Sequence, residues 1–345
     1  MPPEPADSVA ASLYSKASFL SKGGALFMAS RSDQSRKLLQ VLREHTAVFL
    51  LGLFVIVGAL SSDVFLTPRN LLNILWAVSV LGVVALGQTV LLVTRNFDMS
   101  VASVIGLVGI VTVLAQLAGF GLFGSIAVGL LTGAVFGVMN GVLVVATGAN
   151  PFLITLGTNA LAYAVALSLT HSKTLYTTVP AFNEIGRGKV FGIVNYSVII
   201  FILLALALEF VMSRTVFGRS LYITGLNPIV GRLSGLSIRG VQFAAFILCS
   251  LTAALAGIII TARTGSTVGT AGFGYDFDSI IASVLGGTSL FGGRGGAFRT
   301  VVGVLVLGVL NNLLILLNVP IESQQIAKGL VFLAVVWADS LMRHT

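Results

Sequence analysis

Charged side chains are scarce in this chain. Lys, Arg, Asp and Glu together make up 9% of its 345 residues, against roughly 25% in an ordinary soluble domain. Histidine is rarer still, with His45, His171 and His344 scattered along the length. The single cysteine, Cys249, excludes an intrachain disulfide and sits in an apolar segment, where it reads as a small packing residue. No HExxH, GxSxG or GxxxxGK(S/T) pattern occurs. These absences argue against catalytic residues, metal ligands, a bound cofactor or an ATP site, so any uphill work would draw on another polypeptide.

Apolar residues dominate instead, at 56% of the chain with a mean hydropathy of +1.01. A soluble chain of this length needs far more polar surface, which makes the lipid bilayer the expected surroundings. The net charge of +8 then reads as an orientation signal and gives no reason to expect nucleic acid. Apolar stretches of about 20 residues predict ten spans, at 46–61, 73–94, 100–118, 124–147, 152–170, 196–212, 241–262, 279–291, 300–318 and 324–340. The eighth is too short to cross untilted. The expected fold is an all-α polytopic membrane protein. With the N-terminus inside, fourteen of the twenty Lys and Arg residues fall on the cytoplasmic side and five outside, while Lys328 lies one turn within the last span. That asymmetry puts both termini in the cytoplasm. Trp76 and Trp337 fall near span ends, where indole rings tend to sit at the headgroup level.

Residues 1–45 are a different material, read as a cytoplasmic tail without the basic start and apolar core of a secretory signal. Within it, SRKLLQVLREH (35–45) spaces its leucines for a short amphipathic helix on the inner membrane face; a solvated tail is the alternative. Met28 is a candidate start site. The membrane domain is expected over 46–342, with an outer loop at 171–194 and a long cytoplasmic loop at 214–239.

Two internal patterns bear on mechanism. Residues 137–144, GVMNGVLV, recur at 308–315 as GVLNNLLI, matching Gly137, Val138 and Asn140 to Gly308, Val309 and Asn311 at an offset of 171. Under the ten-span reading the copies run in opposite directions, a plan common among transporters. The second pattern is LGGTSLFGGRGGAF (285–298), with six glycines in fourteen residues between two apolar stretches. It lacks the lysine of a phosphate-binding loop and reads as a helix that breaks near a membrane surface. Gly286, Gly287, Gly292, Gly293 and Gly295 are its candidate structural glycines.

Four polar residues are candidates for a substrate path: Asn96, Asp98, Asn140 and Asn311. A carboxylate at the bilayer centre costs roughly 2.5–3.5 kcal/mol on insertion scales, which directs Asp98 to an interface or a wet cavity. There it could cap the following helix and pair with Arg95. Asn140 and Asn311 could equally bond to neighbouring helices. Mid-span positions are nearly bare of ionisable groups, which argues against proton coupling. Glycines such as Gly129, Gly133 and Gly137 read as close packing positions.

The loop 214–239, RTVFGRSLYITGLNPIVGRLSGLSIR, holds four arginines. Asn227-Pro228 starts, and Gly235 stops, a helix of about seven residues. Its Ile229, Val230 and Leu233 suit either a groove on a soluble partner or lipid headgroups.

Four blocks now combine: ALGQTVLLVTRNFDMSVASVIGL (85–107), MNGVLVVATGANPFLITLGT (139–158), FGRSLYITGLNPIVGRLSGL (217–236) and SVLGGTSLFGGRGGAFRTVVGVLVLGVLNN (283–312). Together they resemble the permease subunit of an ATP-binding-cassette (ABC) sugar importer, the branch that includes ribose, xylose, arabinose, galactose and rhamnose systems. The resemblance covers nearly everything from residue 46 onward. It implies a non-enzymatic permease of the bacterial inner membrane, moving a monosaccharide or small polyol inward by alternating access. It also implies an ATPase subunit, an outer sugar-binding protein and a second permease copy or paralogue as partners. GLNPIVGRLSG is then the coupling helix, with Asn227, Pro228, Arg232, Leu233, Ser234 and Gly235 as ATPase-coupling residues. An autoinducer-2 permease of the same family, an ion-coupled carrier and a passive channel are the alternatives. Where the family reads Ile-Asp-Leu-Ser-Val-Gly, this chain has Phe97-Asp98-Met99-Ser100-Val101-Ala102, so local helix geometry is open there.

Overall fold

The computed structural model describes residues 46–343, with side chains to 331 and at 333–334. The amphipathic helix expected at 35–45, Met28 and the Trp337 side chain lie outside what is described. By contacts the chain divides into residues 1–49 and a large compact unit from Leu50 onward; of the first, only the opening turn of α1 is described. The helices are α1 (Thr46–Ser61), α2 (Pro68–Val93), α3 (Val101–Leu117), α4 (Gly121–Thr147), α5 (Pro151–Thr170), α6 (Pro180–Arg187), α7 (Tyr196–Arg214), α8 (Val216–Leu226), α9 (Pro228–Leu233), α10 (Ile238–Thr264), α11 (Tyr275–Leu285), α12 (Ala297–Leu316) and α13 (Ile321–Arg343). Short strands β1 (Leu175–Tyr176) and β4 (Ser266–Thr267) pair antiparallel, as do β2 (Lys189–Val190) and β3 (Val194–Asn195).

Local chemistry sets several helix starts. Thr67, Asn150 and Asn227 each precede a proline, and each side-chain oxygen accepts a backbone N–H from the first turn of α2, α5 and α9. Proline lacks the N–H that would be orphaned there, and the capping oxygen satisfies one that remains. All ten expected spans fall on helices. Among the described residues six helices are long and apolar enough to cross a membrane (α2, α4, α5, α7, α10 and α12), and α1 and α3 are shorter apolar helices. The eighth span needs correction: α11 runs from Tyr275 and stops at Leu285, short of 291. Gly286 is pressed against the Arg299 carbonyl and Gly287 has φ +96°, so the chain leaves the helix there. Ala102 is buried in the first turn of α3, so its departure from the family pattern leaves a regular helix start.

The repeat reaches well beyond eight residues. Adding 171 to the bounds of α2 (68 and 93) gives 239 and 264, against Ile238–Thr264 for α10. The same shift carries α3 onto α11, α4 onto α12 and α5 onto α13, to within five residues at every end. Packing follows the exchange: α4 lies on α10 and α12 on α2, while α3 lies on α10 and α11 on α2. Helices α2 and α10 also pack on each other. Trp76 meets Arg263 near one end of the pair, and Gly87 meets Cys249 and Thr252 further along, so the two are antiparallel. Antiparallel repeat mates require the two halves to run in opposite senses. The interface of α4 with α10 shows why glycine is needed: a Cβ at Gly137 would stand 2.8 Å from Ile247 Cα.

The loop 171–194 is more ordered than a plain connection, holding β1, α6 and β2. Arg187 donates to the carbonyls of Arg263 and Thr264 at 2.8 and 2.7 Å, satisfying the last turn of α10. Trp76, near the start of α2, also makes contacts within the protein. Its ring lies 3.8 Å from the Arg263 guanidinium carbon, and its N–H donates to the Gly186 carbonyl at 3.2 Å, so it ties α2 to α6 and α10.

Candidate functional site

The loop 214–239 folds as two helices, where the sequence suggested one. Thr215 caps α8, its hydroxyl accepting the Gly218 N–H at 3.0 Å. Asn227 ends α8 and caps α9, accepting the N–H groups of Ile229 and Val230 at 3.0 and 3.2 Å. At the other end Gly235 takes φ +78°. Its N–H and that of Leu236 return to the carbonyls of Arg232 and Gly231, each at 3.0 Å, an arrangement that stops a helix in one residue. Gly231 is buried, while Ile229, Val230, Arg232, Leu233 and Ser234 are exposed; Leu233 is 84% exposed. The result is a six-residue helix held at both ends with an uncovered apolar ridge.

This helix is wired to the protein interior through the end of α8. Arg95, in a left-handed conformation (φ +65°) just past α2, turns its guanidinium to the Gly225 and Leu226 carbonyls, with Nη2 3.0 Å from the latter. Gly225 is pressed against the Val93 carbonyl, which itself accepts the Gly293 N–H at 2.9 Å. Gly292 and Gly293 have φ +80° and +75°, values that exact steric strain from any side chain. The Tyr222 hydroxyl donates to the Gly295 carbonyl at 2.9 Å. Burial raises the Tyr222 phenol, with the Glu209 carboxylate adding to the rise. Glu209 accepts the Phe298 N–H at 3.1 Å, at the N-terminus of α12 where negative charge is favoured. The glycine run is thus a clasp joining the ends of α2, α8 and α12. Sequence reasoning missed Tyr222 and the true partner of Arg95, because these contacts join residues more than 70 positions apart.

Asp98 is therefore not paired with Arg95. It lies fully buried. Its Oδ1 accepts the backbone N–H and hydroxyl of Ser100 at 2.8 and 2.6 Å, and its Oδ2 accepts Asn140 Nδ2 at 3.1 Å and the Ser250 hydroxyl at 3.4 Å. The expected capping of α3 is not seen: the bond to the Ser100 N–H shapes the turn before the helix, whose cap position is Ser100, and the first-turn Ser103 N–H goes to Asn159 Oδ1 at 3.3 Å. Asn140 completes its own bonding by accepting the Thr158 hydroxyl at 2.7 Å. Gln88, deep in the apolar run of α2, grips the Asp98 backbone, accepting its N–H at 3.2 Å and donating to its carbonyl. Asn96 closes the turn locally by donating to the carbonyl and hydroxyl of Thr94, both at 3.0 Å.

Asn311 stands apart from these three. It lines a cavity of about 360 Å³ between α2, α11, α12 and α13. Next to it Asn312 and Asn70 exchange amide hydrogen bonds at 2.8 and 2.9 Å. Across the cavity Lys328 and Asp278 form an ion pair at 3.0 Å. The four path candidates are thus not one surface. Among the described residues, no group of His, Cys, Asp and Glu could hold a metal ion.

Comparison with known proteins agrees with this architecture. Residues 70–336 match the family described as the permease component of the branched-chain amino acid transport system. The chain belongs to this permease family. The ribose import permease protein of Escherichia coli K12 is 37% identical to the permease over 306 residues, covering 87% of this chain and 94% of that protein. The D-allose transport system permease protein of the same strain is 35% identical, covering 87% and 92%. The autoinducer 2 import system permease protein of Yersinia pseudotuberculosis (serotype O:3) is 33% identical, covering 89% and 87%. No solved structure matches. The permease is a multi-pass, all-α membrane protein, and the matched residues include the clasp, the Asp98 network and the cavity.

Proposed function

We propose that the permease is the membrane subunit of an ABC importer that moves a monosaccharide or small polyol into the cytoplasm by alternating access. A separate ATPase subunit drives it, an outer sugar-binding protein supplies it, and a second copy or a paralogue completes the pathway. The observation that carries this reading is α9, an exposed apolar helix fixed at both ends and bonded through α8 to the clasp. In this reading Ile229, Val230 and Leu233 enter a groove on the ATPase, and Asn227, Pro228, Arg232, Ser234 and Gly235 hold and flank the helix. A displacement of α9 pulls on Gly225 and Leu226, and Arg95 and Gly293 pass it to the ends of α2 and α12. Because these helices belong to opposite halves of an inverted repeat, the pull tilts one half against the other.

The face bearing α9 is then cytoplasmic, as are both termini, and β1, α6 and β2 lie outside within 171–194. The permease performs no covalent step; ATP hydrolysis belongs to its partner. Relatives named for ribose and D-allose support a sugar as cargo. A second reading, autoinducer 2 as cargo, is favoured by the relative named for it at 33% identity. An ion-coupled carrier fits poorly, since Asp98 is committed to four hydrogen bonds within the protein. The deciding experiment is reconstitution in vesicles with and without the ATPase that co-purifies. Sugar uptake that requires ATP and that partner is expected; uptake without either overturns the proposal.

A further inference from the structure

The geometry points to the cavity between α2, α11, α12 and α13 as a binding station for the transported compound. Asn73, Asn311 and Gln325 are its hydrogen-bonding groups, and the Asp278–Lys328 pair is a self-neutralised wall. This inference rests on the import reading above and assigns it a location. A volume of about 360 Å³ lies within the range of small-molecule sites and accommodates one sugar ring.

The amides divide into two kinds. Asn70, Asn312 and Gln324 are tied within the protein, the last to the Val319 carbonyl at 2.9 Å. Among the described residues, the side chains of Asn73, Asn311 and Gln325 bond to no protein group, although all three line the cavity and the first two sit on α2 and α12, helices apolar enough to cross a membrane. Hydrocarbon cannot satisfy an amide, so water or a ligand must.

The repeat sharpens this contrast. Asn140 and Asn311 occupy matching positions, yet Asn140 is consumed by Asp98 and Thr158. Asn311 is left open. One copy of the duplicated residue has become structural and the other remains available.

The chemistry of the wall selects the ligand class. An amide both donates and accepts, as a hydroxyl does. The Lys328 ammonium and Asp278 carboxylate lie 3.0 Å apart and cancel each other's charge, so neither an anion nor a cation finds an unmatched partner. Phe273, exposed and lining the same cavity, adds apolar aromatic surface for the C–H side of a sugar. Position also fits. Twenty residues of α2 separate Asn73 from Val93 at the clasp, roughly 30 Å of helix, so one rigid element carries motion from the coupling end to this cavity.

The test uses the permease assembled with its ATPase and sugar-binding protein in vesicles. On a Cys249→Ala background, Asn311→Cys, Gln325→Cys and Leu330→Cys are treated with a charged thiol reagent, with and without saturating D-ribose, D-allose or D-ribose 5-phosphate. The expected result is that a transported free sugar slows modification at 311 and 325 at least five-fold, leaves 330 unchanged, and that the phosphate ester protects neither. Asn311→Leu, checked for assembly by ATPase co-purification, is expected to lose at least nine-tenths of maximal uptake. Unprotected labelling at 311 and 325 together with normal uptake by Asn311→Leu overturns the binding station. Protection by the phosphate ester overturns the neutral-ligand assignment. Failure of the unsubstituted complex to take up any free sugar with ATP overturns the import reading instead.

Discussion

Arg95 holds the last turn of α8, its Nη2 lying 3.0 Å from the Leu226 carbonyl and its Nε turned to that of Gly225. The contact crosses 131 residues of chain and joins the end of α2 to the segment that leads into α9. The orphan carbonyls of a helix end gain a cation, and a left-handed backbone at Arg95 is tolerated because the two bonds and the packed glycines over-determine it.

Arg95→Ala is expected to uncouple transport. Hydrogen bonds to a charged group are each worth about 1.5–3 kcal/mol, so losing the fork should lower sugar moved per ATP about ten-fold or more. Arg95→Lys keeps the charge without the planar fork and should recover only part. Paired measurement of uptake and ATP hydrolysis checks this, and an unchanged ratio counts against the clasp as transmission.

Gly235→Val places a β-branched residue at φ +78°, a conformation that costs about 1–3 kcal/mol. The end of α9 should unwind while membrane insertion persists. The ATPase subunit should no longer co-purify, and Arg232→Ala should weaken the same interaction without unwinding the helix.

At Gly293 the φ is +75°, and an added Cβ would stand 2.6 Å from the Leu226 side chain. Gly293→Val should abolish uptake, with normal amounts of protein in the membrane. Full activity would mean that the run tolerates side chains at its tightest point.

Asn140→Leu removes the donor to Asp98 Oδ2 and leaves a buried acceptor under-satisfied, at a cost of about 1–3 kcal/mol. The thermal midpoint in detergent should fall by several degrees. Asp98→Asn should fall less than Asp98→Leu, since it keeps an acceptor for Ser100. Equal effects would show that hydrogen bonding there is not what holds the break between α2 and α3.

Cysteine at Ser234, an exposed position beside α9, is expected to react with membrane-impermeant reagents only from the cytoplasmic side. Reaction from outside would reverse the proposed orientation.

The helices were largely legible because hydropathy and caps act over a few residues. Asn150-Pro151 and Asn227-Pro228 marked true starts, and Thr46–Ser61 coincides with its expected span. The eight-residue repeat pointed to a duplication that four helices in each half share. Helix α8 was hidden, being short and lying between a span and a clear helix start. Arg95 was misassigned because Asp98 lies three residues away in sequence, whereas its carbonyl partners lie in α8.

From order and composition alone follow a membrane-spanning helical chain, two halves of opposite sense and a short exposed helix between Asn227 and Gly235. These properties come from side-chain transfer energies and local capping, which neighbours in sequence determine. Only the tertiary structure decided that Asn140 is locked to Asp98 while Asn311 opens onto a cavity, and that Arg95 serves α8. Which partner a buried polar group finds depends on which helices pack against it, and that is fixed by contacts between segments far apart along the chain.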